Sequence, residues 1–469
     1  IMQQMILEGG QFMTATDERP VVIIGAGPVG LAAAAHLCER QLPFVIVERG
    51  VQVGASVRAW SHIQLFSPWQ YCVDAAAVRL LTATGWMAPV ANTYPTGADL
   101  VTHYLEPLAQ IPTIANALRL GVTVTQVTRQ GMSKSDTQNR AMQPFAVHVR
   151  DAKGHEQVIL ASAVIDASGT LLQPNPLGAA GVPAVGEQQA TAALYYGIPD
   201  VLGDQRGRYA GKRVAVAGSG HSAFHVLLDL VELQRHNPAT QIWWVVRRRA
   251  DQLQIKYGGG AADALPARGS LGQRVQAAVQ SSAITVVPAW RTDQVIQTDH
   301  GVVLGAGDQR LPAVDHVVVV TGFRPDSAML RELRLSVDEI VEAPRALAPH
   351  IDPNLHSCGT VPPHGVRELS HPEPGVFVVG MKSYGRAPTF LLMTGYEQVR
   401  SVVAALAGDW QAALDVQLVL PETGVCSGPA DATCCAPNAI ALIDACCAPA
   451  NTIALDMALV GDAPPQRCC

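Results

Sequence analysis

Residues 20–50 read Pro20-VVIIGAGPVGLAAAAHLCERQLPFVIVER-Gly50. The apolar run 21–24 is too short for a helix and reads as a buried strand. The turn Gly25-Ala-Gly27-Pro28-Val-Gly30 follows, then a helical stretch of small and apolar residues, 31–37. A second apolar strand, 44–47, ends in Glu48. Strand, glycine turn, helix, strand and acid fill the length of one βαβ unit. Gly25 permits the tight turn, Gly27 admits a diphosphate against the backbone, and Gly30 lets helix and strand approach. The helix N-terminus then offers free N–H groups to the diphosphate. Glu48, 18 residues past Gly30, is placed to accept hydrogen bonds from a ribose diol.

The same order returns downstream. A strand over 214–217 precedes Gly218-Ser219-Gly220-His221-Ser222-Ala223, and a helix is expected over 224–233. The following strand, 242–246, ends in Arg247-Arg248-Arg249 and not in an acid. An acid at this strand end selects a free 2′-hydroxyl, whereas arginines pair with a 2′-phosphate. The residues therefore imply FAD on the first unit and NADPH on the second.

A chain of 469 residues has room for two or three domains, and at 48% hydrophobic and 15% charged it reads as largely globular. A net charge of −6 argues against a nucleic-acid partner. Most of that charge sits in 411–469, where six acids face one base, Arg467. No run of 18 apolar residues and no secretory leader is present, so a cytoplasmic location without membrane association is expected. Residues 1–12 read as an extension before a start at Met13.

Between the two units, a helix is expected over 97–108 and strands over 122–127, 145–149 and 158–160. Together the strands form a meander. The strand 163–166 enters the small-residue turn Ala167-Ser168-Gly169. Residues 171–187, rich in Gly and Pro, read as a linker. Beyond the second unit, a strand over 317–320 leads into Thr321-Gly322-Phe-Arg324. Residues 344–371 carry His350, His356, Cys358, His364 and His371, a spacing that matches no standard zinc pattern. A last strand, 376–380, and a helix, 391–406, bring the chain back to the first unit. The expected cofactor contacts thus include Gly25, Gly27, Pro28, Gly30, Glu48, Arg49, Trp60, Ser67, Trp69, Val127, Ser168 and Gly169, with Gly380 and Met381 on the return segment. For NADPH they are 218–223, Arg247–Arg249, Thr321, Gly322 and Arg324.

These motifs resemble those of the class B flavin-containing monooxygenases, which carry two Rossmann-like dinucleotide-binding domains. The resemblance spans about residues 20–410. It implies an α/β fold divided as follows: an N-terminal extension, 1–19; an FAD domain, 20–190; an NADPH domain, 191–330; an FAD-domain return, 331–410; and a tail, 411–469. The nearest counterpart of the family's F-x-G-x-x-x-H stretch is Tyr195-Tyr-Gly197-Ile-Pro-Asp-Val201, with valine in the histidine's place. The stretches 356–365 and 379–401 resemble the flavoproteins of arsenic-resistance operons. That closer likeness points to oxidation of trivalent arsenic or antimony, with Cys358, on a loop expected near the cofactor, as the candidate catalytic residue that receives the metalloid.

The tail carries Cys434-Cys435, Cys446-Cys447 and Cys468-Cys469. Thiolates favour soft centres, which makes these pairs candidate metalloid ligands. Two other readings stay open. One is an NADPH-dependent disulfide-type reductase that uses the tail thiols; the other is a metalloid-binding flavoprotein with secondary redox activity. In every case the substrate is a small molecule.

Overall fold

The computed structural model describes residues 18–253, 257, 266–353, 361–388 and 390–418. All of them fall in the first of two compact units, which ends at Gly428. The six tail cysteines and Cys358 lie outside the described residues.

Two five-stranded sheets organise the unit, and every pairing within them is parallel. The first begins with β1 (Val21–Ile24) and β2 (Phe44–Glu48), joined by helix α1 (Pro28–Glu39). β3 (Leu118–Leu120) extends it, a strand the sequence reading missed. Next comes an antiparallel meander of β4 (Val122–Arg129), β5 (Phe145–Asp151) and β6 (Glu156–Ala161). β7 (Ala163–Asp166) returns to the first sheet.

The second sheet takes β8 (Leu194–Tyr196), β9 (Arg213–Ala217) and β10 (Gln241–Val245). Helix α2 (His221–His236) joins the last two. After helix α3 (Pro266–Gln280) comes β11 (Thr285–Val287). An unforeseen second meander follows, β12 (Gln294–Thr298), β13 (Gly301–Ala306) and β14 (Gln309–Arg310). Its first and last strands are short and polar, so no alternation of apolar residues announces them. β15 (His316–Val319) completes the second sheet. β16 (Val376–Val378) and helix α4 (Leu392–Leu406) then close the first. The orders are β16-β7-β1-β2-β3 and β11-β10-β9-β15-β8.

Parallel strands buried on both faces need near-continuous apolar runs, and β1 supplies one, with all four residues buried. α1 carries Ala32–Ala35, all fully buried, and α4 packs against it. Only small side chains allow helices so close. The helix expected over 97–108 forms, but with a π-turn at Val101–Leu105 between Gly97–Leu100 and Glu106–Ala109. Thr96 and Asp99 cap its start reciprocally. No described helix is long and apolar enough to cross a membrane.

The return segment is tied to the first meander by buried charge. Glu373 Oε1 accepts from Arg129 Nε at 2.9 Å, and Oε2 accepts from Arg140 Nη2 at 2.8 Å. The Arg334 backbone N–H adds a third donor at 3.1 Å. All three ionised side chains of this cluster (Arg129, Arg140, Glu373) are buried.

Candidate functional site

The carboxyl ends of both parallel sheets open into one cavity of about 1640 Å³. A single small-molecule pocket is commonly about 300–1,000 Å³, so this space suits more than one ligand. Open α/β sheets bind ligands at this edge of the strands.

Strand register gives the two units matching positions at their strand ends. Ile24 pairs with Val47 and Asp166 on either side, as Ala217 pairs with Val245 and Val319. Gly25 therefore corresponds to Gly218, Gly27 to Gly220, and Ser168-Gly169 to Thr321-Gly322. Gly25 has φ +103° and Gly218 φ +140°. A Cβ on Gly25 would stand 2.8 Å from the Ala167 carbonyl oxygen, and one on Gly218 would stand 2.3 Å from that of Val320. Glycine is required at both for close approach. Gly27 and Gly220 differ in kind. A Cβ there would meet nothing within 4 Å, and both line the cavity at a helix N-terminus. Each turn is an open cradle for an anion.

Chemistry diverges at the second strand end. Glu48 Oε2 accepts from the Ala26 N–H at 2.7 Å and Oε1 from the Gly50 N–H at 2.6 Å, so the carboxylate is held at the cavity wall. By register its counterpart is Val246, which is buried; the arginines begin one residue later. No acid stands there to meet a ribose diol. Arg247 and Arg248 line the cavity, whereas Arg249 turns outward to Asp251 Oδ1 at 3.2 Å.

Six residues assigned to the cofactors from sequence do not line this cavity: Gly30, Ser67, Trp69, Val127, Ala223 and Arg249. Gly30 and Ala223 lie one turn into their helices, and Gly30 packs against the Gly25 carbonyl, where a Cβ would stand 2.0 Å away. Trp69 and Val127 are core residues. The cavity reaches the meander earlier on β4, at residues 122–125. The Ser67 carbonyl faces away, accepting from Cys72 Sγ at 3.4 Å. The other expected residues line the cavity, Arg324 among them.

Three features escaped the sequence reading. Lys382 Nζ lies 2.6 Å from Asp166 Oδ2 and 3.0 Å from Ser168 Oγ, both charged side chains fully buried. The only sequence signal was a lysine four residues past an apolar strand and an acid before a small-residue turn. Second, the Gly380 N–H donates to Gln398 Oε1 at 2.7 Å, and Gln398 Nε2 reaches His364 and Ser383, each at 2.9 Å. This fixes the Gly380 turn, where φ is +68°. Burial pulls the His364 imidazole below its ordinary range, leaving it neutral. Third, His225 lines the cavity from α2; burial, with Arg274 and His62 nearby, pulls it to about 4. Among the described residues no group of His, Cys, Asp or Glu could hold a metal ion.

The two described cysteines are structural. Burial, reinforced by Glu39, raises Cys38 to about 11, and burial raises Cys72 to about 12. Both stay protonated at neutral pH, and neither lines the cavity.

Relatives and solved structures agree with this architecture. Monooxygenase AgnR1 of Paecilomyces divaricatus is 24% identical over 329 residues, 67% of this chain and 81% of that protein. Indole-3-pyruvate monooxygenase YUCCA1 of Oryza sativa subsp. japonica is 28% identical over 214 residues, 45% of this chain and 44% of its own. Ferredoxin–NADP reductase of Lactococcus lactis is 26% identical over 220 residues, 47% and 54%. The chain thus spans about half the length of the last two. In fold it is similar to the bacillithiol disulfide reductase Bdr (YpdA) from Staphylococcus aureus, at 16% identity and TM-score 0.58, covering 85% and 99% of the two chains. It is equally similar to the FAD-bound cadaverine monooxygenase DfoA from Erwinia amylovora, at 14% identity and TM-score 0.58, covering 86% and 97%. The profile of one family matches residues 22–357, well over half the sequence. The chain belongs to the pyridine nucleotide-disulphide oxidoreductase family and is an oxidoreductase.

Proposed function

We propose that the chain is an FAD- and NADPH-dependent monooxygenase acting on a small molecule. FAD and NADPH are its cofactors. The observation that carries this reading is the pair of register-matched cradles facing one cavity, with Glu48 beside one and Arg247-Arg248 beside the other. The relatives named as monooxygenases support it.

Sheet order orients each dinucleotide. Glu48 ends β2 on one side of β1, whereas Ser168 and Gly380 follow β7 and β16 on the other. Glu48 would hold the adenosine ribose and the Gly27 turn the diphosphate, which would leave the flavin half of FAD to the residues that follow β7 and β16. Lys382 and Asp166 then stand behind Ser168 and stiffen that wall. In the second sheet Arg247-Arg248 would hold the 2′-phosphate at the end of β10, which would leave the nicotinamide half to the residues that follow β15. The two reacting halves would then meet in the cavity into which both sheets open. FAD supplies the hydride acceptance and the reaction with dioxygen, chemistry no side chain offers. The protein's part is to bind, orient and exclude water.

Cys38 and Cys72, protonated and away from the wall, provide no thiolate for disulfide exchange. On the monooxygenase reading, NADPH oxidation consumes oxygen and accelerates with substrate. Turnover that proceeds anaerobically on a disulfide, with no oxygen uptake, would overturn the monooxygenase reading.

Nucleotide choice follows from Arg247 and Arg248. Charge-assisted hydrogen bonds contribute about 1.5–3 kcal/mol each. Replacing both with alanine should raise the KM for NADPH by at least about tenfold and leave that for NADH nearly unchanged. Equal effects on the two cofactors would make these arginines a solvated turn.

A narrower version names the substrate as trivalent arsenic or antimony, collected by the tail. It rests on the cysteine pairs of the sequence. Changing Cys434, Cys435, Cys446, Cys447, Cys468 and Cys469 to serine should weaken arsenite binding and raise its apparent KM, with the flavin spectrum intact. Unaltered arsenite affinity removes the collector and leaves the monooxygenase.

A further inference from the structure

Arg324 follows β15 in the second sheet, and Arg386 follows β16 in the first. Their guanidinium groups nevertheless converge on Gly181, in the linker between the sheets. A side chain at Gly181 would begin 2.9 Å from Arg324 Nη2 and 3.7 Å from Arg386 Nη2. Gly181 has φ +82°, a conformation that already favours glycine, and all three residues line the cavity.

Two like charges so placed repel each other, and Glu342 pairs with only one of them, Arg386, at the solvent-exposed rim. Arg324 Nη2 donates to the Gly181 carbonyl at 2.9 Å, a neutral acceptor. Its Nε is buried without a hydrogen-bond partner among the described residues. Arg386 Nε has Glu342 Oε1 at 3.6 Å, too long for a hydrogen bond, and both side chains are more than a third exposed. The nearest acid in sequence on the wall, Asp326, accepts from the Ala328 N–H at 2.9 Å and faces Gln173 at 3.5 Å. A buried donor without an acceptor is costly, and a paired guanidinium fork suits a planar anion.

We propose that Arg324 and Arg386 form an anion site that receives the carboxylate of the substrate. The assignment rests on the dinucleotide orientation proposed above. The 2′-phosphate belongs over β10 and the diphosphate at Gly218–Gly220, so neither is expected beyond β15. Arg324 stands on the nicotinamide side and Arg386 on the flavin side, which brackets the place where a substrate would react. The substrate class is then a small organic acid held by its carboxylate. The NADPH diphosphate offers the same anionic chemistry and is the competing source.

FAD-loaded full-length protein, titrated with benzoate, benzamide and inorganic diphosphate, decides the matter through the flavin absorbance spectrum. Benzoate should bind at least about tenfold more tightly than benzamide, the equivalent of one charge-assisted contact. Arg386→Gln, at an exposed position where folding is not at risk, should abolish that preference and leave the dissociation constant for NADPH within about twofold. Arg386→Lys should recover part of it. Arg324→Gln should match Arg386→Gln if it folds, and the Arg386 variants decide the question alone if it does not. Equal binding of benzoate and benzamide to the wild type overturns the site. A variant that instead loses affinity for NADPH and for inorganic diphosphate overturns the substrate assignment in favour of the cofactor. Protein that retains no FAD would count against the proposed function itself and is recognised before any titration begins.

Discussion

Replacing Gly27 with valine is expected to give a folded protein that leaves purification without FAD. The backbone at Gly27 is extended, with φ −83° and ψ −173°, which any residue adopts. A Cβ there would touch nothing within 4 Å, so the fold loses nothing. The new side chain would instead occupy the mouth of α1, over the N–H groups that make the cradle. Weakening on the order of 100-fold or more should empty the site at micromolar protein. The flavin-to-protein absorbance ratio measures this, and circular dichroism checks the fold. A pure variant with a full yellow spectrum would show that the diphosphate lies elsewhere. Gly30 provides the contrast, since a side chain there would collide with the Gly25 carbonyl and disrupt folding itself.

The second large effect concerns stability. Glu373→Ala should cost about 3–5 kcal/mol, because it leaves Arg129 and Arg140 buried without their shared counter-ion. Burial alone would raise the Glu373 carboxyl, but hydrogen bonds from Arg140, Arg129 and the Arg334 N–H outweigh it and hold the group below its usual range. A depressed carboxyl contributes stability above its unfolded value, about 4.3 for glutamate, and loses it as pH falls through the folded value. The gap between wild type and variant in urea unfolding should therefore be widest near neutrality and narrow below about pH 4. A loss under about 1 kcal/mol at pH 7 would mean the arginines find other acceptors.

The two glycine turns were readable because their requirements are local. Gly25, Gly27, Gly218 and Gly220 answer steric demands made within a few residues of themselves. Glu48, Arg247 and Arg248 were likewise placed at the cavity by their position at a strand end, whereas Arg249 was not. The one-residue offset between Glu48 and Arg247 could not be read, since it exists only in the pairing of Val47 and Val245 with their neighbours. Lys382 and Asp166 are 216 residues apart and each is unremarkable alone. Arg386 drew no notice for the same reason. Val127 and Trp69 misled because an apolar residue beside a motif reads the same whether it faces a ligand or the core. The second meander stayed hidden because β14 is two residues long and β12 ends in polar side chains.

The contact of Gly25 with the Ala167 carbonyl recurs as that of Gly218 with the Val320 carbonyl. The chain thus uses one interlocking joint twice, and the joint is separate from the strand end proposed to discriminate between nucleotides. The protein is modular at the scale of a single side chain. Arg247 and Arg248 line the cavity and take no part in the contact of Gly218 with the Val320 carbonyl, so their charge can be altered while that joint stays whole. Selection, natural or in the laboratory, could therefore retune the electron donor without redesigning the scaffold that holds it.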